Sequence, residues 1–126
     1  MKILKRIFTW WDGATIGTQL HTRRNGRQVG TDSDGNIYYE AKQGGRRWVI
    51  YNGPAEASRV PPEWHGWLHR TVDTPPTESN VPARTWQKPH ISNPTGTPLA
   101  HVPKGALSAG GERARATGDY EAWTPN

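Results

Sequence analysis

The chain has 126 residues, no Cys, 7 Trp and a formal net charge of +5. That length suits one small domain. The missing Cys excludes disulfides, thiolate metal sites and Cys nucleophiles, and no apolar run reaches the roughly 18 residues of a membrane span.

Leu, Ile, Val and Phe make up about one residue in seven, below the roughly one in five under which a self-sufficient core becomes hard to build. The 14 Gly and 11 Pro point the same way. The Trp residues point the other way, because one indole buries a large area and is a favoured interface anchor. Few aliphatics with many Trp describe a part that completes its folding against a partner. The charge is uneven: residues 1–28 hold Lys2, Lys5, Arg6, Arg23, Arg24 and Arg27 against Asp12 alone, and the rest balances. A basic end suits nucleic acid, anionic lipid or an acidic protein surface, with a merely solvated end as the plain alternative.

In chain order, residues 2–11 place Ile3, Leu4, Ile7, Phe8 and Trp11 at helical spacing, with Lys2, Lys5, Arg6 and Thr9 opposite. This predicts an amphipathic helix over residues 3–10, stopped by Asp12-Gly13, that lies on a membrane surface or a neighbouring protein. The start lacks the long apolar stretch and small-residue cleavage site of a secretory signal. Residues 16–52 read as an antiparallel β-meander punctuated at Asn25-Gly26, Asp34-Gly35-Asn36 and Gly44-Gly45. The expected strands are Thr18–Arg24, Arg27–Asp32, Ile37–Ala41 and Arg46–Tyr51, the last two strongest in β-formers. A short helix is expected within 59–72, started by Pro61-Pro62 with Glu63 in its first turn and Trp64, Trp67 and Leu68 on one face. Residues 77–126 show no periodicity, only scattered apolar residues such as Trp86, Ile91, Leu99 and Trp123. An unstructured stretch of that length is uncommon inside a compact domain, so it reads as an extended arm laid over a partner. The division is 1–12 helix, 13–76 meander with short helix, 77–126 partner-binding arm. The fold class is mainly β with little regular structure.

Chemical motifs are incomplete. His65 and His69 have a zinc-compatible spacing, but Glu63 precedes the first His, so the His-Glu-x-x-His pattern is absent. No Ser sits in a Gly-x-Ser-x-Gly elbow, and Gly105–Gly111 matches no phosphate-binding loop. Asp32 and Asp34 faintly suggest a calcium loop, yet no Glu closes it, and a hairpin turn explains them better. No catalytic residue, cofactor or metal is expected. Tyr38, Tyr39 and Trp48 among basic residues could stack RNA bases. Glu40 offsets Arg46 and Arg47, however, and no nucleic acid is expected as partner.

Several motifs are distinctive. Val29-Gly30-Thr31-Asp32-x-x-Gly35-Asn36-x-Tyr38-Tyr39-Glu40 is followed by Arg47-Trp48-Val49-x-Tyr51, then Val60-Pro61-Pro62-Glu63-Trp64-His65-x-Trp67-Leu68-His69 and Asp73-x-Pro75-Pro76-Thr77. Lys88-Pro89-His90-x-x-Asn93-x-Thr95-Gly96-Thr97-Pro98 and Val102-Pro103 complete the set. In this order they resemble the NADH:ubiquinone oxidoreductase alpha-subcomplex subunit twelve family of respiratory complex I, over about residues 16–104. The resemblance implies a non-catalytic accessory subunit, without redox centre or cofactor, that stabilises or helps assemble the peripheral arm. Its implied partners are core subunits of that arm near the membrane junction. Its implied place is the cytoplasmic face of a bacterial inner membrane, or the matrix side in mitochondria. A transient assembly factor of the same family is the alternative, and an RNA-binding module the alternative of a different class. The candidate contact residues are Ile3, Leu4, Ile7, Phe8, Trp11, Trp64, Trp67, Trp86, Ile91, Leu99 and Trp123.

Overall fold

A computed structural model describes residues 13–79, 82, 84–112, 115, 116, 118 and 120–125. The helix expected over residues 3–10, with Ile3, Leu4, Ile7, Phe8 and Trp11, lies outside the described residues. The fold is mainly β with little regular structure, as expected: helix α1 (Ile16–Asn25), strands β1 (Gly26–Thr31), β2 (Ile37–Ala41) and β3 (Arg47–Ile50), and helix α2 (Pro62–Leu68).

One element corrects the sequence reading. Thr18–Arg24, expected as a strand, lies inside α1. Thr15 is extended at the N-cap, and its Oγ1 accepts the Thr18 backbone N–H at 3.1 Å, which satisfies one of the donors a helix start leaves open. Arg23 and Arg24 occupy the last turn, where the helix dipole favours cations. Asn25-Gly26 ends this helix instead of turning a hairpin, with the Gly26 N–H donating to Thr22 O. A Cβ on Gly26 would sit 2.6 Å from Thr22 O and 2.9 Å from Trp48 Cζ2, so the helix runs into the sheet only because nothing protrudes there. Trp48 in turn docks the helix: its Nε1–H donates to Thr22 Oγ1 at 3.1 Å, and its ring lies 5.8 Å from that of His21.

The three strands form one antiparallel sheet in the order β1-β2-β3. Gln28 pairs with Tyr39 and Tyr39 with Trp48; on the other face Gly30 pairs with Tyr38 and Tyr38 with Val49. A register shift between Gln28 and Gly30 marks a bulge at Val29.

The core lies between the second of these faces and α2. It consists of Tyr38, Val60, Trp64 and Trp67, with Val29, Val49, Tyr51 and Leu68 half-buried around them. The Tyr38 and Trp64 rings stack at 3.9 Å and 6°, and Trp67 meets both edge-on, at 84° and 90°. The edge-on contacts are an arrangement that ring quadrupoles favour. Gly30 is the floor of this stack, since a Cβ there would fall 2.8 Å from Trp64 Cη2 and 2.6 Å from Thr77 Cγ2. Gly30→Ala is therefore expected to destabilise by about 1–3 kcal/mol through overpacking, read as a lower urea midpoint; an unchanged midpoint would show that the stack can shift.

A 3-10 turn at Ala57–Arg59 precedes α2, which starts at Pro62 after Pro61, with Glu63 in the first turn as expected. Contacts divide the described chain after Asn93. Within the first unit, the stretch approaching Asn93 folds back on the 3-10 turn. His90 Nε2–H donates to Ser58 O at 2.8 Å, and the Asn93 N–H donates to Ser58 Oγ at 3.0 Å. The second unit, from Pro94 on, has no strand or α-helix among its described residues. It is a string of local turns, such as Thr97 N–H to Pro94 O and Ala106 N–H to Pro103 O, with a 3-10 turn at Leu107–Ala109.

Candidate interaction surface

The Asp32-x-x-Gly35-Asn36-x-Tyr38 motif builds an internal network. Asp32 Oδ1 accepts the backbone N–H groups of Asp34 and Asn36, both at 2.9 Å. Its Oδ2 accepts Asn36 Nδ2 at 2.9 Å and the Tyr38 hydroxyl at 2.8 Å. Asn36 is fully buried; its Oδ1 accepts the Asn52 N–H at 3.0 Å and so ties the β1–β2 turn to the end of β3. The carboxylate is thus spent on four donors, which is the hairpin reading of Asp32 rather than the cation-loop one. Burial opposes its ionisation, but the bonds from Asn36, Tyr38 and the two backbone N–H groups outweigh that and hold Asp32 below the ordinary carboxylate range. Burial, and then the Asp32 carboxylate, push the Tyr38 hydroxyl up, so it stays a donor.

The sign follows for stability. A depressed carboxyl adds stability that is present above its unfolded value, about 3.9, and is lost as pH falls through the folded value. Unfolding midpoints should fall on acidification below about pH 4, and Asp32→Asn should flatten that fall while lowering the midpoint at neutral pH. Equal acid slopes for the two chains would contradict the network's role.

A second tie runs through Arg47. Its Nη1 donates to Trp67 O at 2.7 Å and to Val72 O at 3.2 Å, closing the end of α2. The guanidinium lies 4.8 Å from the centre of the Trp67 ring, and its Nε sits 3.6 Å from Glu40 Oε1. Glu40 also pairs with Arg27 at 2.8 Å. Arg27, Glu40, Trp67, Asp73 and Glu78 line a shallow polar cleft beside β1.

Those expected contact residues that lie among the described residues separate into two groups. Trp64 and Trp67 are 4% and 1% exposed and belong to the chain's own core, so their presence in a contact set is corrected: the face of α2 that carries them is consumed by Tyr38 and the sheet. Trp86, Ile91, Leu99 and Trp123 stand bare, from 75% to 81% exposed. Leu107 at 95% and Tyr120 at 87% join them; both are among the scattered apolar residues of 77–126 but are not in the expected contact set. Their signal was available, because an isolated apolar residue in an aperiodic polar stretch has nothing of its own chain to pack on. Tyr38, weighed as a base-stacking ring, is buried. The His65 and His69 rings lie 4.1 Å apart, tilted by 32°, on the exposed side of α2. Among the described residues no three His, Asp or Glu side chains gather to hold a metal. None of the described helices is long and apolar enough to cross a membrane.

This is a small sheet-and-helix module in which Asp32, Asn36, Tyr38, Arg47, Trp64 and Trp67 serve the fold, and the most exposed large apolar side chains follow it, from Trp86 on. The model of the NADH ubiquinone oxidoreductase subunit NDUFA12 family matches residues 26–125, and the chain belongs to that family. It is similar to NADH dehydrogenase [ubiquinone] 1 alpha subcomplex subunit 12 of Bos taurus, 45% identical over 64% of this chain and 64% of that one. It is also similar to the subunit of the same name from Dictyostelium discoideum, 41% identical over 65% of this chain and 63% of that one. NADH dehydrogenase [ubiquinone] 1 alpha subcomplex assembly factor 2 of Mus musculus is 31% identical over 58% of this chain and 52% of its own. The chain thus spans less than two thirds of the length of these relatives.

Proposed function

We propose that the chain is a non-catalytic accessory subunit that stabilises the peripheral arm of NADH:ubiquinone oxidoreductase. The observation that carries this reading is the contrast, among the described residues, between a four-residue core cluster and seven large apolar side chains left exposed from Trp86 to Trp123. Water exposure of that much apolar surface is unfavourable at roughly 25 cal/mol per Å², and contact with neighbouring subunits relieves it. Family membership and the relatives' names support other subunits of NADH:ubiquinone oxidoreductase as partners; in this reading they are core subunits of the peripheral arm near its junction with the membrane arm. Residues 77–126 act as the arm that runs over them, and residues 2–11 add a contact at the membrane surface. The place is the cytoplasmic face of a bacterial inner membrane, or the matrix side of the mitochondrial one.

A transient assembly role is the second reading, supported by the likeness to the assembly factor. The higher identity to the subunits favours the permanent one. Tagged chain recovered from solubilised membranes in the complete, active oxidoreductase would support the subunit; recovery only in partial assemblies would support the factor. Trp86→Ala and Trp123→Ala should each weaken retention by about 2 kcal/mol if they are buried anchors, with circular dichroism of the free chain unchanged. Unchanged retention of both would remove the arm from the reading.

A further inference from the structure

The sheet has a second face, turned away from Tyr38 and the Trp pair. Tyr39 and Trp48 are paired neighbours on it, their rings 6.1 Å apart and 15° from parallel, with Ile37 and Ile50 paired beside them. All four side chains are half-buried. α1 reaches only one side of this face, through the contacts of His21 and Thr22 with Trp48.

The charge around this face is one-sided. Residues 13–31 and 41–55 contain no carboxylate at all. The nearby acids are already engaged or lie at the far turn: Glu40 pairs with Arg27 and Arg47, and Asp32 is held by its four donors. Arg23, Arg24, Lys42 and Arg46 remain, at the end where α1 stops and the β2–β3 turn begins. Lys42 Nζ donates to Arg24 O at 3.1 Å, and the Ala41 N–H donates to Arg46 O, which fixes these residues as one group. None of the four has an ion pair among the described residues. Aromatic side chains beside Arg are the composition of interface hot spots, and like charges left unpaired around an apolar patch favour an oppositely charged occupant.

We infer that the Tyr39–Trp48 face, with its rim of Arg23, Arg24, Lys42 and Arg46, docks a carboxylate-rich segment of a neighbouring subunit. This deepens the accessory-subunit reading and rests on it. A single-stranded nucleic acid is the less fitting occupant. The Trp48 ring is half-buried and edged by the tilted His21 ring at 5.8 Å and 55°, so it is not the flat, open platform on which a base stacks.

The test uses the assembled complex. A zero-length carbodiimide reagent joins an amine to a carboxylate in direct contact, so Lys42 should be found by mass spectrometry joined to an Asp or Glu of another subunit. The triple variant Arg23→Glu/Arg24→Glu/Arg46→Glu should be retained at least tenfold less than the unmodified chain. Arg23→Ala/Arg24→Ala should fall between them and guard against a folding effect, with far-ultraviolet circular dichroism unchanged for both. Retention of the triple variant within twofold of the unmodified chain would overturn the inference. So would salt-dependent binding of a single-stranded oligonucleotide by the unmodified chain that the triple variant loses. If the unmodified chain itself does not co-purify with the oxidoreductase, the subunit reading falls and takes this inference with it; if it co-purifies and the variant does so equally, only this inference falls.

Discussion

Trp67→Ala is expected to destabilise the free chain by about 3–5 kcal/mol, the range for emptying a large aromatic site. The Trp67 ring meets both members of the Tyr38–Trp64 stack edge-on, and it lies under the Arg47 guanidinium. Among the described residues the core cluster is small, Tyr38, Val60, Trp64 and Trp67 with half-buried residues around it, so little is available to fill the space. Small domains hold roughly 5–15 kcal/mol in total, so a loss of this size unfolds a large fraction of the molecules. Trp67→Phe keeps part of the edge-on contact and should cost clearly less. Urea unfolding followed by circular dichroism measures both. A cost under about 1 kcal/mol for the Ala variant would mean that α2 is not held by this core.

Asn36→Ala should cost about 1–3 kcal/mol, the range for leaving buried polar groups unsatisfied. The residue is fully buried, and its side chain serves three groups at once: Asp32 Oδ2, Arg59 O and the Asn52 N–H. Removing it orphans the Asn52 donor and takes one donor from a carboxylate that is held ionised by its bonds. Asn36→Asp is the sharper variant, because it has nearly the same shape. It sets a second carboxylate against Asp32, and the two cannot both ionise cheaply at that distance. The new group's folded value is raised, so its destabilisation should ease as pH falls through that value and its proton is taken up. A variant equally unstable at pH 7 and pH 4.5 would contradict this account.

The sheet was legible where the sequence is rich in β-formers. Ile37–Ala41 and Arg47–Ile50 fall inside the expected strands, and the Asp34-Gly35-Asn36 and Gly44-Gly45 turns join them as expected. α1 was not legible, because Thr18, Thr22 and the Asn25-Gly26 pair carry local strand and hairpin signals. What overrides them is a capping hydroxyl one residue before the helix together with a ring, Trp48, more than twenty residues on that binds Thr22. Single-window reading has no access to that second partner. The two helical Trp were legible as one face, but the face alone cannot tell core from contact. Tyr38 decides it by stacking on Trp64, and this depends on register across the sheet. The bare residues from Trp86 onward were legible for the opposite reason: no periodicity gave them a home in their own chain.

The four-residue core also bears on how many copies a cell keeps. A chain with so little buried apolar mass spends a larger fraction of its time open than a chain with a full core, and open chains are what proteases cut. Binding to neighbours that recognise only the closed form raises stability by mass action, in proportion to the logarithm of their concentration over the dissociation constant. On the accessory-subunit reading, copies that find a place would be protected and surplus copies cleared, so abundance would follow the number of vacant positions. Stoichiometry would then be set by turnover, without a separate control on synthesis.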